Sequence, residues 1–194
     1  MPHLTDAEIK AHDLVAPGHY RLTLRAPDIA QAAQAGQFCM LQVQDGLYPF
    51  LRRPMCFETI DGDHFTVFYK VEGEGTRLMS TLRPGQTINV QGPLGKPWPI
   101  DTGFRRHVMV AGGIGIATFP GLAAALQAAG ADAPEIIIAA RNAGLLLCAD
   151  EFTAAGCRVH CATDDGSAGF HGYAGDLLRQ LEPGSDTRVY SCGP

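Results

Sequence analysis

His107-Val108-Met109-Val110-Ala111 is an unbroken apolar run that ends directly in Gly112-Gly113-Ile114-Gly115. A strand that is apolar at successive positions has no face to offer water. It therefore belongs in a parallel sheet covered by helices on both sides. The segments that follow keep the same grammar. Glu135 to Ala140, Cys157 to Ala162 and Thr187 to Cys192 read as further strands, and Pro120 to Ala129, Leu145 to Ala155 and Gly175 to Leu181 read as the helices between them. The span from Val108 to Ala131 carries no charge, but its glycines, Pro120 and alanine-rich content suit a buried strand, a turn and a helix rather than a membrane crossing.

The first hundred residues read differently. His19 to Leu24, Gln37 to Val43 and His64 to Tyr69 are short apolar runs, punctuated by Pro17-Gly18, Asp61-Gly62-Asp63 and Pro84-Gly85. Many short strands with regular turns predict a small antiparallel barrel. One short helix is expected from about Thr76 to Leu82, stopped by Pro84. The fold class expected is thus an N-terminal antiparallel β-barrel over residues 1–100 and a C-terminal α/β parallel-sheet domain over 103–194. Pro97-Trp98-Pro99-Ile100-Asp101-Thr102-Gly103 forms the junction.

Composition narrows the function classes. An apolar fraction of 46% with 18% charged residues fits a globular chain. A net charge of −5 without a basic stripe argues against nucleic acid as a partner. No secretory signal or membrane span is read, so a cytoplasmic protein is expected. The six cysteines form no CxxC pair and the seven histidines no ligand grouping, so neither disulfides nor a metal site are expected.

Two places carry chemistry suited to phosphates. In Arg52-Arg53-Pro54-Met55-Cys56-Phe57, Arg53 offers a planar fork of donors that stays charged at any relevant pH. Pro54 biases the backbone toward an extended strand, so Met55 and Cys56 project to opposite sides and one of them can lie on a flat ring. A surface Arg-Arg pair before a strand fits that hexapeptide equally well. Gly73-Glu74-Gly75-Thr76 favours the phosphate reading, because glycines permit close approach and Thr76 is placed to cap the following helix. A plain glycine turn is its alternative. The second place is Gly112-Gly113-Ile114-Gly115 with Thr118, between a strand and a helix, the context of a nucleotide turn. Arg141 and Asp165-Gly166 end later strands, at the sheet edge where ligands normally sit, and Cys192-Gly193-Pro194 ends the last strand there. A solvated charge at Arg141 and a small buried residue at Cys192 are the structural alternatives.

In this order, Arg52-Arg53-Pro54, Tyr69-Lys70-Val71-Glu72-Gly73-Glu74-Gly75-Thr76-Arg77, Gly92-Pro93-Leu94-Gly95, Gly112-Gly113-Ile114-Gly115, Asp165-Gly166-Ser167 and Cys192-Gly193-Pro194 resemble the ferredoxin–NADP⁺ reductase superfamily. The set looks most like the electron-transfer subunit of NAD-dependent dihydroorotate dehydrogenase. The resemblance implies FAD on the barrel. Arg53 would grip its pyrophosphate with Gly75 and Thr76 nearby, Pro54, Met55 and Cys56 would line the isoalloxazine, and Phe68, Tyr69 and Lys70 would run beside it. It implies NAD(H) over Gly112, Gly113, Ile114 and Gly115, with Asp165, Gly166, Cys192 and Gly193 near the ribose or nicotinamide.

The activity so implied is a flavoprotein oxidoreductase subunit of pyrimidine biosynthesis. It would pass electrons from NADH through FAD to an iron–sulfur centre and a catalytic dihydroorotate dehydrogenase subunit. Two alternatives stay open: a reductase subunit serving a hydrogenase, sulfite reductase or oxygenase, and a nucleotide-binding module without turnover. Two departures are visible. Cys56 stands where the family usually has a serine, and a thiol is the weaker donor. The family continues past Cys-Gly-Pro with a helix, a strand and a four-cysteine [2Fe–2S] segment, for which this sequence supplies no ligands.

Overall fold

A computed structural model describes residues 1–46 and 48–194, which divide into two compact units, Met1–Trp98 and Pro99–Pro194.

The first unit is built from strands β1 (His3–Ala16), β2 (His19–Arg25), β3 (Phe38–Gln42), β4 (Arg53–Cys56), β5 (Thr59–Asp61), β6 (His64–Lys70) and β7 (Thr87–Leu94). Two short helices join them, α1 (Pro27–Ala32) and α2 (Glu74–Met79). All pairings are antiparallel, in the order β4-β3-β7-β1-β2-β6-β5. The sheet curls until β4, at one edge, comes near β6, giving a half-barrel. Alternation along the strands supplies its core. Leu22 and Leu24 of β2, Cys39 and Leu41 of β3, Val67 and Tyr69 of β6 and Ile88 and Val90 of β7 all point inward. Phe57 and Phe65 meet edge to face at 4.9 Å within it.

Three features of this unit differ from the sequence reading. β1 is fourteen residues long, although its Asp, Glu and Lys residues hide the alternation that buries Ala7 and Ile9. α1 starts on Pro27 and was not expected. The helix placed at Thr76 to Leu82 instead runs Glu74–Met79, because Gly73 in extended backbone is its N-cap.

The second unit contains β8 (Arg106–Gly112), α3 (Phe119–Ala128), β9 (Glu135–Ala140), α4 (Ala149–Ala154), β10 (Arg158–Thr163), β11 (Phe170–His171), α5 (Ala174–Gln180) and β12 (Thr187–Cys192). Its sheet is parallel throughout, in the order β11-β10-β9-β8-β12. From β8 the chain steps outward through β9 and β10 to β11, then crosses back to place β12 on the other side of β8. Right-handed crossovers therefore put α3 and α4 on one face and α5 on the opposite face. Leu177 of α5 packs with Val108, Ile137 and Ala162, while Gln127 of α3 donates to the Ala155 carbonyl beyond α4 at 2.6 Å. At the amino edge Glu135, almost fully buried, takes a forked pair from Arg106 at 2.5 and 2.9 Å and a third bond from His160 at 3.1 Å. Arg106 is the first cause of the lowered Glu135 carboxyl pKa.

Two boundaries change here as well. The helix expected from Leu145 to Ala155 is a 3-10 turn, Ala143–Leu145, followed by α4. Cys148, in left-handed backbone, separates the two. A 3-10 turn, Gly113–Thr118, also stands between β8 and α3, so the glycine segment does not open straight into an α-helix. Among the described residues no helix is long and apolar enough to cross a membrane.

Candidate functional site

The arginine pair of the first unit is divided between two tasks. Arg52 turns to the neighbouring strands, donating to Asn89 Oδ1 at 2.6 Å, to Gln42 Oε1 at 2.9 Å and to the Asn89 carbonyl at 3.2 Å. It ties β4 to β3 and β7. Arg53 has no carboxylate partner among the described residues; its guanidinium donates only to the nearby Leu51 carbonyl. Arg52 is therefore part of the scaffold and not a free surface charge. Arg52→Ala is accordingly expected to lower the melting temperature by several degrees, through the loss of roughly 1–3 kcal/mol of charge-assisted bonds. Flavin retention is expected to be unchanged, and thermal melts alongside the absorption spectrum read both.

The guanidinium of Arg53 lies on the backbone of Gly75. A Cβ at position 75 would stand 2.0 Å from Arg53 Nε and 2.5 Å from its Cζ. Only glycine leaves the fork where it is. Around this pair the first-turn amides of α2 have no acceptor within the helix. Thr76 sits at the third helical position, not at the cap. Its hydroxyl oxygen takes the Glu72 and Gly73 amides at 2.9 and 3.1 Å and donates to the Gly73 carbonyl at 3.0 Å. The expectation that Thr76 caps the helix is corrected: the residue shapes the turn through its side chain while Gly73 occupies the cap. Nearby acids are already matched, Glu74 with Arg77 at 2.8 Å and Glu72 with Lys70. A fixed cation beside unused backbone donors fits the diphosphate of a dinucleotide. Gly75→Val is expected to push Arg53 aside and weaken flavin binding about tenfold or more while leaving thermal stability within about 1 kcal/mol. Equal flavin affinity in that variant would contradict this.

β4 and β6 supply the surface beyond the cation. Met55 lies opposite Cys39 and packs against the core, whereas Cys56 lies opposite Phe38 and is half-buried. Past Thr66 the outer edge of β6 has no hydrogen-bonded strand partner among the described residues, and β4 comes near it there. Phe68 is buried under the Arg21 guanidinium at 5.1 Å, and Arg21 is held by Glu58 at 2.8 and 3.1 Å. The Tyr69 ring points the other way, into the core, with its hydroxyl 2.9 Å from His12 Nε2. Burial, and then Tyr20, push its phenol pKa up. Tyr69 therefore has only backbone to offer a ring on this surface. The Arg21–Glu58 pair was not foreseen, and nothing in the local sequence marks it.

In the second unit the glycine segment and the chain's last residues form one structure at the carboxyl edge. A Cβ on Gly115 would stand 2.3 Å from the Cys192 carbonyl oxygen, and one on Gly193 would stand 2.3 Å from that of Gly112. Glycine packs on backbone in both directions. This is the switch point of the sheet, where β12 returns beside β8, and the crevice outside such strand ends is where nucleotides bind. Gly113 is exposed and Ile114 half-exposed there, while Thr118 is buried and closes the 3-10 turn. The Cys192 thiol is half-buried, and burial raises its pKa.

Two further loops sit at the same edge and are bound to each other. Ser167 Oγ accepts from the Ala143 amide at 2.8 Å, and the Asp165 amide donates to the Arg141 carbonyl at 3.2 Å. Asp165 is exposed; the Ser167 hydroxyl and amide hold its carboxyl pKa low. Gly166 turns between them. The Arg141 guanidinium is exposed and takes part in no ion pair among the described residues. Ser167 is the residue that sequence reading undervalued. The Asp-Gly-Ser order is the signal, since an Asp accepting from the amide two residues on is a turn signature.

None of the six cysteines forms a disulfide.

No protein-family model matches the chain. It is 35% identical over 184 residues to the electron transfer subunit of dihydroorotate dehydrogenase B (NAD(+)) from Lysinibacillus sphaericus, which spans 93% of this chain and 70% of that protein. Among solved structures it is similar to an NADH-dependent reduced ferredoxin–NADP oxidoreductase, studied for flavin-based electron bifurcation. That match has 28% identity and a TM-score of 0.84, and covers 98% of this chain and 68% of the other. It shares its fold with a ferredoxin NADP⁺ reductase from Neisseria gonorrhoeae whose structure holds FAD and NADP. There the identity is 19% and the TM-score 0.80, over 97% of this chain and 84% of the other.

Proposed function

The chain belongs to the family of dihydroorotate dehydrogenase B electron-transfer subunits, and on that premise we propose that it is a flavoprotein oxidoreductase subunit that passes electrons between NADH, FAD and a partner. Bound FAD would supply the chemistry of two-electron hydride acceptance and one-electron release. What this chain contributes is position. Arg53 would hold the FAD diphosphate, and Gly75 leaves room for its fork. Met55, Cys56 and the outer edge of β6 form the surface for the isoalloxazine. Cys56 would present a thiol, a weaker donor than a hydroxyl, on the ring side of this surface.

On the second unit, Gly112 to Gly115 with Gly193 let the nicotinamide dinucleotide approach backbone closely. Cys192 lies at the end of β12, and Arg141, Asp165 and Gly166 take the ribose side. No side chain is asked to move a proton in the hydride step, which agrees with the absence of a paired acid and base among these residues. The physical requirement is a separation of roughly 3–3.5 Å between reacting atoms. The partner proposed is a catalytic dihydroorotate dehydrogenase subunit, which would place the chain in pyrimidine biosynthesis.

The observation that carries this reading is the Arg53 fork resting on Gly75 with no carboxylate partner among the described residues. Absorption spectra and calorimetric titration of the purified chain test it. One FAD and one NAD(H) per chain are expected. A colourless protein that takes up neither would refute it. The likeness to a ferredoxin–NADP oxidoreductase favours, as a second reading, a reductase subunit serving another acceptor. Co-purification with a dihydroorotate dehydrogenase separates the two.

A further inference from the structure

A bulge in β1 re-aims one side chain. Ala7 and Ile9 face the core of the first unit, and strict alternation would turn Ala11 inward and His12 outward. The register with β2 slips between Ile9 and Ala11, so that Ile9 lies opposite Leu24 and His12 opposite Leu22. Leu22 and Leu24 are both core residues. The extra residue, Lys10, therefore carries His12 to the inner face.

There the imidazole lies beside Tyr20 and Tyr69, with ring centroids 5.2 and 6.1 Å away. Both of its nitrogens are used. Nδ1 is 3.0 Å from the Leu82 carbonyl oxygen and Nε2 is 2.9 Å from the Tyr69 hydroxyl. A carbonyl can only accept, so Nδ1 donates, and Nε2 of the neutral ring accepts from the phenol. Arg83 donates to the same Leu82 carbonyl at 3.0 Å.

The two partners of His12 are the ends of one excursion. The chain leaves β6 after Tyr69 and Lys70, turns through Gly73, forms α2 and arrives at Leu82. That stretch holds Gly75, on whose backbone the Arg53 fork rests. β6 is paired with β2 from His64 to Lys70, so its place does not depend on the imidazole. α2 spans only six residues and belongs to no ladder, and a helix so short does not hold itself in place.

Resting on the FAD reading above, we infer that His12 is a positioning residue for the diphosphate site: it clips both ends of the Tyr69–Leu82 excursion and so fixes Gly75 beneath Arg53. A loop already held in its binding shape spares the ligand the cost of ordering it. His12 touches no part of the cofactor on this account and acts through Gly75.

Hydrogen exchange and FAD titration of the flavin-free chain test this in His12→Phe, which keeps a ring in the core and removes both bonds. Amides of residues 73–82 are expected to exchange about tenfold faster while those of β2 and β6 stay as they were, and FAD affinity is expected to fall roughly tenfold. His12→Gln, which offers one donor and one acceptor, is expected to recover most of both effects. Tyr69→Phe removes a single bond and is expected to shift both in the same direction by less; it answers the question should His12→Phe fail to fold. Unchanged exchange over residues 73–82 would overturn the inference. So would faster exchange there with FAD affinity intact, since the clip would then not serve the site. Exchange raised equally in β2, β6 and α2, or no recovery in His12→Gln, would assign the residue to general packing and overturn it as well. Failure of the unaltered chain to bind FAD would instead refute the FAD reading, a result that the exchange pattern does not depend on.

Discussion

Arg53→Ala is expected to yield a folded, nearly colourless protein whose affinity for FAD is reduced by a factor on the order of a hundred to a thousand. The size follows from what the diphosphate loses. Truncating one partner of a desolvated, hydrogen-bonded charge pair costs about 2–5 kcal/mol, because the other charge stays behind without a counter-ion. Folding is expected to survive, since Arg53 has no carboxylate partner among the described residues and its neighbour Arg52 carries the bonds that fix β4. Arg53→Lys is expected to recover part of the affinity only, because an ammonium supplies charge without the planar fork. Equilibrium titration of flavin-free protein measures both. Full flavin retention by Arg53→Ala would mean that the diphosphate lies elsewhere.

Gly115→Val should produce the opposite phenotype: flavin kept, reduction by NADH lost. The atoms that its side chain would meet are backbone, the Cys192 carbonyl at 2.3 and 2.5 Å and the Gly193 amide nitrogen at 2.8 Å, so no rotamer change relieves the clash. The glycine segment and the end of β12 must separate, and the crevice between them is the surface on which the nicotinamide dinucleotide is proposed to lie. Overpacking of this kind costs roughly 1–3 kcal/mol of stability. A displacement of the bound nucleotide by about 1 Å is enough to slow the transfer roughly a hundredfold. Anaerobic rapid mixing with NADH reads the rate, and the flavin spectrum confirms that the first unit is loaded. Unchanged reduction kinetics would remove Gly112 to Gly115 from the nucleotide site.

The parallel sheet was legible because its strands are apolar at successive positions. Glu135 to Ala140 and Thr187 to Cys192 fall where pattern places them. β1 was not, since Thr5, Asp6, Glu8 and Lys10 interrupt the apolar alternation over much of its length. α4 was drawn too long for a related reason: Leu145, Leu146 and Leu147 continue a helical apolar pattern, yet Cys148 adopts left-handed backbone that no propensity marks. At the sites, residue types were readable and partnerships were not. Arg52 and Arg53 are the same letter in sequence, and only the strands beside them assign Arg52 to the scaffold. The packing of Gly115 on Cys192 joins two motifs that are 77 positions apart. Such a contact depends on β12 returning beside β8, a choice of topology that neither motif encodes.

Anaerobic addition of NADH to the flavin-loaded chain bears most directly on the proposal that this protein brings a reduced nicotinamide to a bound flavin. Bleaching of the flavin absorption by NADH alone, to the same extent as with dithionite, is the expected result. A flavin that dithionite bleaches and saturating NADH leaves oxidised would contradict it.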